Sequence, residues 1–99
     1  MAAVALTLNT PTRTAVTTAR QRYTMPTGAT APAWVRIYSA SDCYLELGDH
    51  ADGGVLGSAY ETIPAGVVTA RMIRRGEFCI AGSASQTVEV TVTTREGPG

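Results

Sequence analysis

An all-β fold, built as a single-domain antiparallel β-sandwich or small β-barrel of seven to eight short strands, follows from three features of the 99-residue sequence. Apolar side chains recur at every second position, as in Val88, Val90 and Val92 set against Thr87, Glu89, Thr91 and Thr93. That period of two places one row of side chains inward from a strand. Turn-forming clusters such as Pro64-Ala65-Gly66 and Arg74-Arg75-Gly76 punctuate the chain at roughly even spacing, and no stretch carries a convincing helical period. The domain covers residues 1–94, with 1–12 as a candidate N-terminal arm and 95–99 as a flexible C-terminal tail.

The elements follow in order. Val4, Leu6 and Leu8 alternate with Ala5 and Thr7, and Asn9-Thr10-Pro11 ends this first run. The Thr- and Arg-rich stretch from Thr12 to Thr24 is one long strand or two with a bend, and Tyr23 and Met25 are its inward candidates. Its polarity marks an edge, where exposed Arg13, Arg20 and Arg22 discourage edge-to-edge pairing. A loop from Gly28 to Pro32 leads into Ala33–Ser39, in which Val35 and Ile37 point one way and Trp34, Arg36 and Tyr38 the other. Ser39 to Asp42 is a turn, Cys43 to Leu47 the next strand, and Gly48 to Gly54 the most loop-like segment.

Ala59 to Ala81 reads as an antiparallel meander of three short strands. In its first turn Pro64 fixes φ at about −65°, and Gly66 supplies a left-handed residue. Val68, Ala70 and Met72 then alternate with Thr69, Arg71 and Ile73, so one of the two rows faces inward. Arg74-Arg75-Gly76-Glu77 is the second turn, and Phe78 and Ile80 resume the apolar face. Thr24-Met25-Pro26-Thr27-Gly28 echoes Thr62-Ile63-Pro64-Ala65-Gly66, as two similar hairpins or an internal duplication would. Gln86 to Thr93 is the final strand.

Ninety-nine residues make one domain with a modest core. A formal net charge of zero supplies no field to draw in nucleic acid or an anionic membrane. The eight basic residues are all arginine, which reflects a GC-rich genome or suits multi-donor contacts to a protein partner. The N-terminus lacks a basic n-region, and no run approaches the ~20 apolar residues of a membrane helix. The expected setting is a reducing cytoplasm, or an assembly formed there. Cys43 shares a parity with Leu45 and Leu47, whereas Cys79 opposes Phe78 and Ile80, so two free thiols are expected.

Catalytic chemistry finds little footing. His50 is the single histidine, which rules out a multi-His metal site within the chain and leaves no evident Ser-His-Asp set. Asp49 and Asp52, followed by Gly53, are the candidate metal ligands, for Ca²⁺. The EF-hand pattern is missing, however, and Asp and Gly are ordinary loop residues. Glu46 and Glu89 read as solvent-facing carboxylates, the usual background on a sheet. Gly53-Gly54-Val55-Leu56-Gly57 lacks the spacing and lysine of a phosphate loop. The expectation is a protein that is not an enzyme and carries no cofactor.

Binding chemistry has more. Trp, Tyr and Arg are the types enriched at binding hot spots, and Trp34, Arg36 and Tyr38 would together make an interface on an exposed strand face. The alternative is that Trp34 turns inward, or that the sheet is covered on both sides. Single-stranded nucleic acid would need a basic groove beside these rings, and the balanced charge argues against one. Arg74 and Arg75, at a turn tip, are the second candidate contact.

The runs W-V-R-I-Y-S-A-S-D-C-Y-L-E-L-G, D-G-G, Y-E-T-I-P-A-G and F-C-I-A-G-S-A-S-Q-T-V-E-V-T-V resemble small all-β virion proteins of tailed bacteriophages, of the capsid decoration (cement) type. The similarity spans about Val35 to Val92 and lies in scaffold positions, so no site residues carry over. The resemblance implies a structural protein made in the host bacterial cytoplasm and located on the virion's capsid surface. It would bind the major capsid protein lattice, as a homotrimer or other homo-oligomer, and stabilise the expanded shell. A head–tail connector or tail component is the second reading. A carbohydrate- or ligand-binding β-module, with Trp34 and Tyr38 as the stacking platform, is the third.

Overall fold

The structure, a computed structural model, describes residues 3–26, 33–47, 54, 57, 60–73 and 77–93. These residues form nine strands: β1 (Val4–Ala5), β2 (Thr12–Val16), β3 (Gln21–Thr24), β4 (Ala33–Ser39), β5 (Cys43–Leu47), β6 (Glu61–Ile63), β7 (Thr69–Ile73), β8 (Glu77–Gly82) and β9 (Gln86–Thr93). They make two sheets, a five-stranded one ordered β1-β3-β8-β5-β6 and a four-stranded one ordered β2-β9-β4-β7. The architecture is therefore a small β-sandwich. Its pairings are antiparallel except for β1 on β3 and a parallel bridge between Leu8 and Val92.

The core lies between the sheets and follows the period of two. Val35 and Ile37 on β4 and Val88, Val90 and Val92 on β9 are fully buried against Tyr23, Phe78, Ile80 and Leu45 of the other sheet. Each such aliphatic side chain contributes about 1.5–3 kcal/mol when removed from water. Tyr23 and Phe78 face each other across β3 and β8 and stack at 5.3 Å with ring planes 8° apart. Leu6 enters the same core, with Val4 and Leu8 packed against it, so residues 4–8 lie on the sandwich.

Of the two alternatives for Thr12 to Thr24, the structure has two strands, β2 at the expected edge of one sheet and β3 in the interior of the other, between β1 and β8. The meander reading of Ala59 to Ala81 is corrected, because β6 and β8 belong to the five-stranded sheet and β7 to the four-stranded one. The Pro64-Ala65-Gly66 turn, with Gly66 at φ +73°, is a corner carrying the chain from sheet to sheet. Proline and glycine set the bend, but long-range pairing decides which strand comes next. The Gly66 N–H donates to the Ser39 carbonyl at 2.8 Å, tying this corner to the β4–β5 turn.

Asp42 anchors the same end of the sandwich. Its carbonyl accepts from the Ser83 N–H (3.1 Å), Ser83 Oγ (2.8 Å) and Gln86 Nε2 (2.9 Å), while its Oδ1 accepts from the Ala65 N–H (2.9 Å). Three connections thus meet at one residue, and their otherwise orphaned backbone groups are satisfied.

Candidate functional site

The outer face of the four-stranded sheet collects the residues of interest by register. Arg13, Glu89 and Tyr38 form one cross-strand row, Thr91, Arg36 and Ala70 the next, and Thr93, Trp34 and Met72 the third. Because Val35 and Ile37 are buried in the core, their neighbours Trp34, Arg36 and Tyr38 project outward. The alternative with Trp34 inward is thereby excluded. Tyr38 is 40% exposed, Met72 38% and Val68 61%, and Trp34 and Arg36 are half-buried. Arg13 pairs with Glu89 at 2.9 Å, but its side chain is 74% exposed, so the pair contributes about 0–1 kcal/mol.

Sequence reading reached the β4 half of this face and missed the β7 half. Val68-Ala70-Met72 is the more apolar row and Thr69-Arg71-Ile73 carries a hydroxyl and a charge, so apolar periodicity alone does not place the right row outward. Pairing with β4 settles it: Thr69 and Ile73 are buried, and Val68 and Met72 face solvent. Among the described residues, two open hollows of about 290 Å³ each flank Tyr38, one reaching Asn9 and Val68 and the other Arg13 and Thr87. Small-molecule sites are enclosed clefts of about 300–1,000 Å³, and this surface is better shaped for a macromolecule.

The other sheet's outer face is covered in part by its own chain, with Tyr60 left 44% exposed. Arg22, Cys79 and Glu46 form a cross-strand row. Arg20 Nε and Nη2 donate to the two oxygens of Glu46 at 2.6 and 3.0 Å, with side-chain exposures of 15% and 4%. Two expectations are corrected here: Glu46 is not solvent-facing, and Arg20 is not an exposed edge charge. The hydrogen bond to Glu46 holds the Arg20 guanidinium above its ordinary pKa. The Arg20 N–H also donates to the Gly54 carbonyl at 2.8 Å, and Gly57 lies so close that an added Cβ would sit 2.7 Å from Glu46 Oε2. Arg22 Nη2 donates to Glu77 at 2.5 Å. Tyr44 and Tyr60 meet edge to face at 4.9 Å.

Both cysteines are buried free thiols. Burial pushes the Cys43 thiol up, against the smaller opposing effect of the Ser39 hydroxyl that donates to its sulfur at 3.4 Å. A thiol so placed is a poor nucleophile. Among the described residues no three His, Cys, Asp or Glu side chains cluster as a metal site would need, and no helix is long and apolar enough to cross a membrane. Asp49, His50, Asp52, Arg74 and Arg75 lie outside the described residues. Compared with protein-family models, curated proteins and solved structures, the chain matches none.

Proposed function

We propose that this chain is a structural binding module that docks through the outer face of its four-stranded sheet. Its partner in this reading is the assembled capsid lattice of a tailed phage, which it decorates from outside and stabilises. One observation carries the reading. On the five-stranded sheet's outer face the Arg20–Glu46 and Arg22–Glu77 pairs take up the charges and Tyr60 stands exposed beside Tyr44, whereas the four-stranded sheet gathers Tyr38, Met72 and Val68 in water beside Trp34 and Arg36. Exposed aromatic and Met side chains around an arginine have the composition of interface cores. The resemblance to decoration proteins supplies the nature of the partner. A lattice that binds only the folded chain would also stabilise it by mass action.

Co-sedimentation with expanded and unexpanded phage heads tests the proposal. The expected result is saturable binding to expanded heads at a multiple of the lattice symmetry, weakened about 30-fold by Trp34→Ala together with Tyr38→Ala. Binding at a dozen copies or fewer would instead favour a connector or vertex role. No binding to any head form would overturn both virion readings. A glycan that binds the native chain and not the double variant would establish the carbohydrate module.

A further inference from the structure

We propose that the hollow lined by Asn9, Arg36 and Tyr38 is a carboxylate-binding subsite, and that it receives an aspartate or glutamate side chain of the protein lattice on which the four-stranded sheet docks. This rests on the docking reading above and names the chemistry of the partner's group.

Charge sets the sign of what this face accepts. The two hollows that flank Tyr38 share Glu89, and Arg36 lines one of them while Arg13 lines the other. Among the described residues of the outer face the charges are therefore two arginines against one glutamate, on a chain whose formal net charge is zero. Glu89 is already met by Arg13 Nη2 at 2.9 Å. A cationic group arriving here would compete with Arg13 for that carboxylate and would meet Arg36 as a like charge, which is costly across an interface. An anionic group meets an arginine in either hollow. The five-stranded sheet has no such excess in its outer pairs, since Arg20 and Arg22 are matched by Glu46 and Glu77.

Asn9 adds a fixed neutral wall to the Arg36 hollow. Its N–H donates to the Val92 carbonyl at 2.8 Å, and the bridge from Leu8 to Val92 holds the residue before it. Its φ of 58° lies in the left-handed region, which Asn enters more readily than most side chains. The backbone is thus pinned where Asn9 lines the hollow with Arg36, Thr91 and Tyr38. Guanidinium, amide and hydroxyl groups all donate hydrogen bonds, and the planar guanidinium fork matches the two oxygens of a carboxylate. Because the hollow is open to solvent, a free acid would be held weakly there. An acidic side chain carried on a docked protein surface is held in place by its neighbours' contacts.

Co-sedimentation with expanded phage heads tests the subsite, comparing the native chain with Arg36→Gln, Asn9→Asp and Glu89→Gln, each checked for folding by circular dichroism and thermal melting. Arg36→Gln removes the cation. Asn9→Asp places a negative charge in the hollow on a side chain of the same shape, which also tolerates the left-handed backbone and keeps the test open should Arg36→Gln fail to fold. The expected result is about tenfold weaker binding for each of these two variants and undiminished binding for Glu89→Gln. Native affinity in either folded variant would overturn the subsite and leave the docking reading standing. Tighter binding by Asn9→Asp, or a loss confined to Glu89→Gln, would overturn it in favour of a cationic partner group. No binding of the native chain to any head form would overturn the docking reading and the subsite with it.

Discussion

Arg20 holds both carboxylate oxygens of Glu46, two side chains 26 residues apart in sequence, beside Gly57, where an added Cβ would sit 2.7 Å from Glu46 Oε2. A charge pair taken out of water is costly to break, because removing one partner leaves the other buried without its counter-charge. Arg20→Ala is therefore expected to lower the melting temperature by about 10 °C or more on the scale of a domain this size. Arg13→Ala, which removes a pair at the exposed β2 edge, should change stability by no more than about 0–1 kcal/mol. Thermal melts of the two variants side by side decide the matter. Equal shifts would mean the buried pair has no special role.

Gly57→Ala tests the same site from above. The added methyl would press on Glu46 Oε2 and approach Arg20 Nη2 at 3.2 Å, and the bidentate geometry leaves neither group free to move aside. A lower melting temperature is expected for Gly57→Ala. Gly57→Ala combined with Glu46→Ala should lose less than the sum of the two single changes, since contacting residues are coupled.

Burial pushes the Tyr23 hydroxyl up to about 12. An unfolded tyrosine ionises near pH 10, so between about pH 10 and 12 the unfolded chain has lost a proton that the folded one keeps. The sign follows from linkage. This contribution to stability is complete below pH 10 and is lost as pH rises towards 12, by roughly 3 kcal/mol in all. Denaturant midpoints measured across that range should fall more steeply for the native protein than for Tyr23→Phe. Parallel profiles would show that Tyr23 does not titrate late.

Much of the fold was legible because most strands bury one face only. Val35 and Ile37, and Val88, Val90 and Val92, announce themselves by alternation, and the bounds of β4, β5 and β9 agree with that pattern. β8 does not alternate: Phe78, Cys79, Ile80 and Ala81 are all buried, because Arg20, Glu46 and Gly57 cover the side that would otherwise meet water. Nothing local in Glu46 marks it as buried, since its partner lies at Arg20 on another strand connection. The same limit explains the meander. A Pro-x-Gly turn serves a hairpin and a sheet-to-sheet corner equally well, and only the pairing of β7 with β4 distinguishes them. Half of the candidate face shared this fate, for Met72 joins Trp34 only through that pairing.

Gln86 closes the turn cluster from β9: its Oε1 accepts from the Ser41 N–H at 3.2 Å and its Nε2 donates to the Asp42 carbonyl at 2.9 Å. Both contacts are near the surface, where a hydrogen bond contributes about 0.5–1.5 kcal/mol net. Gln86→Ala should cost about 1–2 kcal/mol by chemical denaturation. Gln86→Glu keeps the acceptor and removes the donor to Asp42, so it should fall between Ala and native. A Glu variant less stable than the Ala variant would mean that charge near Asp42, and not the lost donor, governs the site.

The exposed residues of the candidate face offer the opposite expectation. Tyr38, Val68 and Met72 bury little in the monomer, so the triple change Tyr38→Ser, Val68→Ser, Met72→Ser should leave the denaturation midpoint within about 0.5 kcal/mol per site of native. Retention on a hydrophobic interaction column should fall, because the apolar patch is removed. A variant that is native in stability and deficient in binding to expanded heads would separate the face's role in docking from its role in folding. If the triple variant unfolds, the face belongs to the fold: the apolar groups of β7 and β4 would then be supporting the sheet from outside, and a partner would have to be sought elsewhere on the molecule.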